Sequence, residues 1–576
     1  MVNIKINGQA IQVEEGTTVL EAARGTNIDI PTLCYLKDIN EIGACRMCVV
    51  EIKGMRALQA ACVYPVSEGL EVETNNKRVR DARRVTLELI LSNHDRKCLT
   101  CPRNTNCELQ ALSDKLNIKD IHYSGESPVH EIDNKSVSIV RDPNKCILCR
   151  RCVSVCKDIQ NVAVIDANDR GFKSTVGCAF DKSLADVPCI NCGQCIMACP
   201  VGALTEKDDT DRVWEALSDP TKTVIVQTAP AIRVALGEEF GMPIGTNVTG
   251  KMAAALRRVG FAKVFDTDNA ADFTIMEEGT ELLGRIQKGE NLPVITSCSP
   301  GWIKFCEHNY PEFIKNLSSA KSPQAMMGAL VKSYWAEKNK VDPKDIFMVS
   351  IMPCSAKKFE VQREELSNDG NYNVDASLTS RECARMIKQA GIDFVNLEDE
   401  TFDSPFGEST GAAVIFGATG GVMEAALRTV ADILTGKDLE NIDYEAVRGT
   451  EGIKEASLEL AGKTIRVAVA HGLANSKKLL EKIKAGEKYD FVEMMACPGG
   501  CVTGGGQPIV DSKTRSLVDV KKVRADAIYQ ADKDMPIRKS HKNEEIMKVY
   551  KEFLGEPCGH KSHELLHTHY HERENY

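Results

Sequence analysis

A chain of 576 residues is too long for one ordinary core, so two or more domains are expected. A formal charge of -10 offers no basic footprint for nucleic acid, and no apolar run reaches membrane-spanning length. The segment Met1 to Val13 alternates like a strand and lacks the apolar centre of a signal peptide, which makes the cytoplasm the expected location.

The 23 cysteines set the class. Disulfides are the ordinary use of so many, but the chain is long, the count is odd, and most of the cysteines fall in clusters separated by two residues. Neighbours at that spacing converge on a metal. Residues 1–78 form the first expected domain. Val2 to Ile6 and Ile11 to Val13 alternate around Asn7-Gly8, a hairpin signal, and a short helix is expected over Thr18 to Ala23, beginning near Thr17. Cys34, Cys45, Cys48 and Cys62 follow, and a Cys-x2-Cys loop with outlying cysteines fits a two-iron cluster, with zinc as the rival. Gly43 stands where the chain would wrap closely around inorganic sulfide.

Residues 79–120 are expected to hold a second site. A helix over 79–92 leads into His94-x3-Cys98-x2-Cys101-x5-Cys107, and one nitrogen with three sulfurs suits zinc as well as iron. Its place after a two-iron domain favours a four-iron cluster with one imidazole. A neutral imidazole leaves such a cluster one negative charge poorer than a fourth thiolate would, which raises its potential.

Residues 108–140 carry no chemical motif. Within 136–209, Cys146-x2-Cys149-x2-Cys152-x3-Cys156 is matched by Cys189-x2-Cys192-x2-Cys195-x3-Cys199-Pro200, the bacterial two-cluster ferredoxin repeat. In that repeat the fourth cysteine of each run ligates the other run's cube. One cube therefore takes Cys146, Cys149, Cys152 and Cys199, and the other takes Cys189, Cys192, Cys195 and Cys156. Four clusters exceed the needs of a lone carrier and suggest transfer between the surface and a buried catalytic site.

From about 210 to 530 the pattern becomes α/β. Val224 to Val226, Val294 to Thr296, Phe347 to Ile351, Ala413 to Phe416 and Ile465 to Val469 read as buried strands, with helices such as Lys251 to Arg258 and Lys477 to Lys484 between them. No complete nucleotide-binding glycine fingerprint is present. Cys298, Cys354, Cys497 and Cys501 lie at the ends of these elements and make a fifth metal site plausible, four scattered buried thiols being the plainer reading. Gly504 to Gly506 permit close backbone approach to something bulky. Residues 531–576 read as a helix and tail.

Three segments carry a resemblance: Thr296-Ser-Cys-Ser-Pro-Gly-Trp302, Met352-Pro-Cys-Ser-Ala-Lys-Lys358 and Met494-Met-Ala-Cys-Pro-Gly-Gly-Cys-Val-Thr-Gly-Gly-Gly-Gln-Pro508. They resemble the signatures of the iron-only, or [FeFe], hydrogenases. The likeness runs from the long gap between Cys34 and Cys45, also found in respiratory Complex I, to the tail Glu564-Leu-Leu-His-Thr-His-Tyr570. The layout is similar both to the monomeric clostridial enzyme and to the catalytic subunit of multimeric NAD(P)-linked, often electron-bifurcating, hydrogenases. The implied fold is multidomain α+β and α/β: N-terminal ferredoxin-like iron–sulfur domains, then a large α/β hydrogenase catalytic domain. The implied cofactors are one [2Fe-2S] cluster, three accessory [4Fe-4S] clusters and an H-cluster. The last is a [4Fe-4S] cube joined to a diiron unit bearing CO, CN and azadithiolate.

By motif, Cys354 and Cys497 are implied cube ligands, and Cys501 also bridges to the diiron unit. The first motif departs from the family, which usually has Thr-Ser-Cys-Cys-Pro. Alignment register puts Cys298 on the proton-relay position and Ser299 on the ligand position, whereas the softness of iron–sulfur chemistry favours Cys298 as ligand. Both readings stand at this stage. The implied proton route leads from Cys298 through Glu278, Ser318, Glu281 and Arg285; without the resemblance, Glu277, Glu278 and Glu281 read as an ordinary solvated face. Lys357 matches the lysine that hydrogen-bonds a cyanide, although a surface lysine is the bland alternative. Met352 and Met495 are implied apolar walls, Pro230 brings backbone to the other cyanide, and Gln324 and Ser322 are weaker neighbours. Cys178, Cys306, Cys383 and Cys558 are assigned to packing. The late histidines, His541, His560, His563, His567, His569 and His571, are assigned to a tail packed on the core or a partner.

The implied activity is reversible conversion of dihydrogen to protons and electrons. Implied partners are ferredoxin, flavin- and NAD(P)-binding hydrogenase subunits, and H-cluster maturation proteins. The competing readings are a ferredoxin-only monomer, a hydrogenase-like sensor of low turnover and an assembly-related iron–sulfur protein.

Overall fold

The computed structural model describes residues 1–368, 370–460 and 462–574. Asn7 and Gly8 both take left-handed backbone, with φ of 52° and 80°, so Val2–Ile6 turns back on Gln9–Val13 as the two-residue signal requires. Val2, Ile4 and Ile6 face the core and alternate with exposed residues. Glu71–Glu73, Val49–Ile52 and Gln59–Ala60 complete a five-stranded sheet. The adjacent helix is Val19–Arg24, capped by Thr18, whose hydroxyl accepts from Glu21 N at 3.3 Å; it starts one residue later than the sequence suggests.

Helix Lys77–Ser92 starts at Asn76, whose side chain accepts from Val79 N at 3.0 Å. Arg83 on this helix is buried and donates to Val49 O at 2.7 Å, holding the helix to the first sheet. Beyond it, Ile139–Arg141 pairs antiparallel with Leu204–Glu206 and brackets the two cysteine runs. Both runs take left-handed backbone at matching places: Leu148 and Arg150 in the first, Asn191 and Gly193 in the second. The same spacing has produced the same loop twice.

Two four-stranded sheets build the larger region. One is wholly parallel, in the order Lys263–Asp266, Thr223–Thr228, Ile346–Met352, Ala376–Thr379. The other runs Val294–Ile295, Phe491–Met495, Lys463–His471, with Ile453–Leu460 antiparallel at its edge. Helices Thr249–Val259 and Leu473–Lys484 contain the helices expected from sequence. The expected strand over Ala413 to Phe416 is a correction. Those residues belong to helix Gly411–Val414 and the tight turn Ile415–Gly417, buried on every side. A short run without a polar face has no period from which helix and strand can be told apart.

Buried polar contacts fasten the cysteine-rich region to the larger one. Arg151 grips both oxygens of Glu108 at 2.8 and 3.0 Å and donates to Ser512 Oγ at 3.1 Å. Arg381 reaches back to Glu206 at 2.7 Å and to Gly505 O at 3.0 Å. The tail packs on the core. After helix His560–Leu566, Thr568 N donates to Ser319 O and Lys321 N to Leu566 O, each at 2.8 Å.

Candidate active site

Three strand ends bring the distant cysteines together. Cys298 and Ser299 lie between Val294–Ile295 and helix Pro300–Asn309; Cys354 lies between Ile346–Met352 and helix Lys357–Glu360; Cys497 follows Phe491–Met495, and Cys501 opens the next turn. Their side chains line one cavity, of about 80 Å³, together with Pro230, Gln324, Met352, Lys357 and Met495. Ligands at the carboxyl ends of parallel strands are the general rule for such sheets.

The glycine run serves backbone contact. A Cβ on Gly504 would lie 2.0 Å from Pro353 O, and one on Gly505 would lie 2.1 Å from Cys192 O. The Cys501 loop is thereby pressed against both the Cys354 turn and the second ferredoxin run. The sequence reading assigned these glycines to a bulky group; their immediate neighbour is protein backbone.

The donor chemistry fits an iron–sulfur group. Burial pushes the Cys354, Cys497 and Cys501 thiols up, and Cys497 and Cys501 are pushed further by their thiol neighbours. Bare protein resists ionising sulfurs gathered in this way, whereas cationic iron reverses that cost. Ser299 Oγ accepts from Ala496 N at 3.3 Å, beside Cys497. The Cys298 thiol, also held up by burial, feels Glu278 and Cys501 next.

Lys357 is buried, which excludes the surface reading. Its Nζ donates to Cys298 O at 3.2 Å and to Glu360 Oε2 at 2.7 Å. Glu360 also accepts from Ser322 Oγ at 2.9 Å and Gln324 Nε2 at 2.7 Å. Sequence reasoning missed Glu360, although its three-residue spacing from Lys357 on one short helix was an available signal.

The solvated-face reading of the three glutamates is also overturned. Glu277 and Glu278 are buried on helix Asp268–Lys288, and Glu281 is partly buried one turn on. Glu278 faces the Ser318 hydroxyl and is pushed up to about 8 by burial and by repulsion from Glu281. Ser318 Oγ donates to Glu281 Oε2 at 2.7 Å, and Arg285 Nη2 to Glu281 Oε1 at 2.6 Å. A chain of ionisable groups therefore runs from beside Cys298 toward the surface. Ser319, Tyr550 and Ser562 adjoin it and were not singled out in the sequence, whereas His567 and Cys558, assigned there only to packing, also contact Glu277.

The other cysteines also gather as their spacing suggests. Cys48 and Cys62 sulfurs are 3.3 Å apart, and Cys34 and Cys45 exchange backbone N–H to sulfur contacts at 3.4 and 3.5 Å. His94 Nδ1 is buried without a hydrogen-bond partner among the described residues, as a ring nitrogen kept for a metal would be. Cys146, Cys149, Cys152 and Cys199 line one small cavity. Cys156 stands in the field of Cys189, and Cys195 in the field of both. Each fourth cysteine thus sits with the other run.

Fold and site together define an iron–sulfur oxidoreductase with a chain of clusters leading to a buried catalytic pocket. Family comparisons agree segment by segment. Residues 1–77 match a 2Fe-2S iron-sulfur cluster binding domain, 83–122 the NADH-ubiquinone oxidoreductase-G iron-sulfur binding region, and 136–205 the ferredoxin-like domain of NADH-quinone oxidoreductase subunit 3. Residues 222–505 match the C-terminal domain of the iron only hydrogenase large subunit, and 518–573 the iron hydrogenase small subunit. The chain is 48% identical to the NADP-reducing hydrogenase subunit HndD of Solidesulfovibrio fructosivorans, covering 100% of this chain and 99% of that one. It is 44% identical to iron hydrogenase 1 of Clostridium pasteurianum, covering 99% and 100%. A solved variant of [FeFe]-hydrogenase HydA1 from Chlamydomonas reinhardtii superposes with a TM-score of 0.57 at 43% identity, covering 63% of this chain and 99% of that one.

The chain belongs to the iron-only, or [FeFe], hydrogenase family. It is an oxidoreductase that interconverts dihydrogen with protons and electrons at a diiron-type site and moves the electrons through iron–sulfur clusters. No helix among the described residues is long and apolar enough to cross a membrane.

Proposed function

We propose that this chain is the catalytic subunit of a cytoplasmic hydrogenase whose H-cluster is held by Cys354, Cys497, Cys501 and Ser299, with Cys298 as the proton relay. The observation that carries this reading is the joining of two features in one place: the thiol-lined cavity and the buried acid chain that starts beside it. When bound, the diiron group supplies an open metal position and a neighbouring base for heterolytic cleavage of H–H. Cys298 exchanges the proton with Glu278, which passes it through the Ser318 hydroxyl to Glu281, the carboxylate that Arg285 holds at the outer end of the route. Lys357, buried and steadied by Glu360, offers its ammonium to an anionic diatomic ligand. Met352, Met495 and Pro230 exclude water, and Gln324 holds Glu360 in place.

The choice of Ser299 over Cys298 as the fourth ligand is supported by position. Ser299 Oγ accepts from Ala496 N, next to Cys497, while Cys298 feels Glu278 more strongly than Cys501. Electrons would leave through the paired ferredoxin cubes, whose second cysteine run lies against the Cys501 loop, and then through the His94 cluster or the two-iron domain. In all, one [2Fe-2S], three [4Fe-4S] and one H-cluster are proposed. The full-length likeness to an NADP-reducing hydrogenase subunit favours flavin- and NAD(P)-binding partner subunits, with ferredoxin as a further partner. The equally complete likeness to iron hydrogenase 1 supports a ferredoxin-only monomer as the second reading.

Infrared spectroscopy of anaerobically matured protein tests the site. Iron-bound carbonyl and cyanide bands with hydrogen evolution are expected. Absence of the bands overturns the assignment, and bands without turnover favour a sensor. Gentle anaerobic isolation that yields no flavoprotein would favour the monomer.

A further inference from the structure

The C-terminal tail brings an imidazole to the proton route. His567 is buried and sits where the tail pairs with Ala320. Its Nδ1 is 2.8 Å from Ser319 Oγ, which is in turn 3.2 Å from Glu281 Oε1. On its other side, Nε2 is 3.0 Å from Glu277 Oε2. Glu277 has no free oxygen to offer: it accepts from Tyr550 OH at 2.5 Å, Cys558 N at 2.6 Å and Ser562 Oγ at 3.2 Å. Burial opposes its ionisation, but the hydrogen bonds from His567, Tyr550 and Cys558 outweigh that and keep it below the usual carboxylate range. Glu277 is therefore a fixed anion, and it can hold an imidazolium. His563 stacks on His567 with ring centroids 4.4 Å apart and is exposed on its far side.

We propose that His567 is a proton store on a side branch of the relay, reached from Glu281 through the Ser319 hydroxyl. This rests on the reading of Glu281 as a relay member. In the empty state, neutral His567 keeps its proton on Nε2 toward Glu277, and Nδ1 accepts from Ser319 Oγ. When Glu281 is protonated, its O–H bond breaks and the proton passes to Ser319 Oγ. The serine's own proton passes to His567 Nδ1. The products are the Glu281 carboxylate and a His567 imidazolium paired with Glu277, so charge and protons balance. The serine hydroxyl then points back to Glu281, ready for the return.

The other ionisable groups around the ring leave this exchange intact. Arg285 is committed to Glu281, and Lys321 directs its ammonium to Asn368 at 3.5 Å. Tyr550 and Cys558 donate to Glu277. Cys558, Glu277 and His567 place three donor atoms within 4.8 Å, but the four hydrogen bonds onto Glu277 and the Cys558 Sγ contact to Glu277 O at 3.4 Å occupy the directions a metal would need. His567 thus acts through Glu281 and is a positioning residue for protons rather than a group at the reacting atoms.

The test uses the matured full chain, with hydrogen oxidation and proton reduction measured across pH for His567→Gln, Ser319→Ala and the double variant. An empty store accepts protons and a filled one supplies them. Loss of the store should therefore slow oxidation mainly in the alkaline half of the profile and proton reduction mainly in the acid half. A loss of about threefold to tenfold is expected, below the range of a direct acid–base catalyst. Ser319→Ala should reproduce the change, and the double variant should be no worse than either single one. Losses equal at every pH, losses that multiply in the double variant, or zinc that copurifies with the wild type and is absent from His567→Gln would each overturn the proposal. If His567→Gln loses iron, Ser319→Ala alone decides. If Glu281→Gln leaves turnover intact, the relay reading fails; if Glu281→Gln stops turnover while His567→Gln leaves the profile unchanged, only the store fails.

Discussion

The cysteine-rich half and the catalytic half gather sulfur in opposite ways. In the first, ligands lie a few residues apart on loops, and the repeated left-handed positions at Leu148 and Arg150, then Asn191 and Gly193, wrap the backbone around each site. In the second, Cys298, Cys354 and Cys497 are far apart in sequence and meet only because parallel strands of two different sheets end around one cavity. The first site type is local, and its His94 segment reaches solvent: Leu99, between Cys98 and Cys101, is 92% exposed. The second is closed and insulated. An electron chain needs accessible ends, whereas a site that separates protons from electrons needs a dry interior with one acidic path.

The sharpest way to break this comparison is Cys354→Ala. Hydrogen evolution should fall by at least about 10³-fold, because a ligand and its group act as one unit. Electron paramagnetic resonance should still show the N-terminal clusters, since their ligands do not depend on the strand ends. Loss of those signals too would mean that the halves do not assemble separately.

Glu278→Gln comes next. It should lower turnover by about 10²- to 10³-fold, the range of a general acid–base group, with the infrared bands retained. It also has a stability signature. Because the folded group titrates near 8, above an ordinary carboxyl, its stabilising protonated form is fully present below the ordinary range and is lost as pH rises through about 8. Denaturant melts between about pH 5 and pH 9 should therefore show wild-type stability declining, and Glu278→Gln should flatten that decline. An unchanged slope would remove Glu278 from the buried acid chain.

These two cases also mark what the sequence could tell. The gathering of thiols in the first half was legible because their spacing is itself the loop geometry. At the catalytic end, Cys354, Cys497 and Cys501 were recognisable by family likeness, but their shared cavity depends on strand order, which spacing does not encode. Glu277 and Glu278 look like any acidic helix face until the fold buries them, Glu277 under the tail and Glu278 beside Ser318. His567 lies far from Glu277 in sequence, so nothing local joined the two. Ala413 to Phe416 misled for a related reason: total burial erases periodicity.

A smaller effect is expected where the halves meet. Arg151 is buried and bound to both oxygens of Glu108 and to Ser512. Arg151→Ala leaves Glu108 with an uncompensated charge and should cost about 3 kcal/mol, read from denaturant unfolding. The active-site bands should persist, because the pair lies within the cysteine-rich half, meets the other half only through Ser512 and does not touch the cavity.

The smallest effect on turnover, and the finest test of the local rule, is His94→Cys. If His94 is a ligand, the change keeps four donors and adds one negative charge to the cluster. Imidazole-for-thiolate exchange raises iron–sulfur potentials, so the reverse exchange should lower this one, by on the order of 100 mV in a redox titration followed by electron paramagnetic resonance. Reduced-viologen assays should change less than about twofold, since a small dye reaches other clusters as well. Ferredoxin-linked rates should fall more, because an electron must then climb onto a more negative site at the exposed end. An unshifted potential would mean that the unpartnered His94 Nδ1 serves no metal, and the first half would lose the one ligand that spacing alone could not decide.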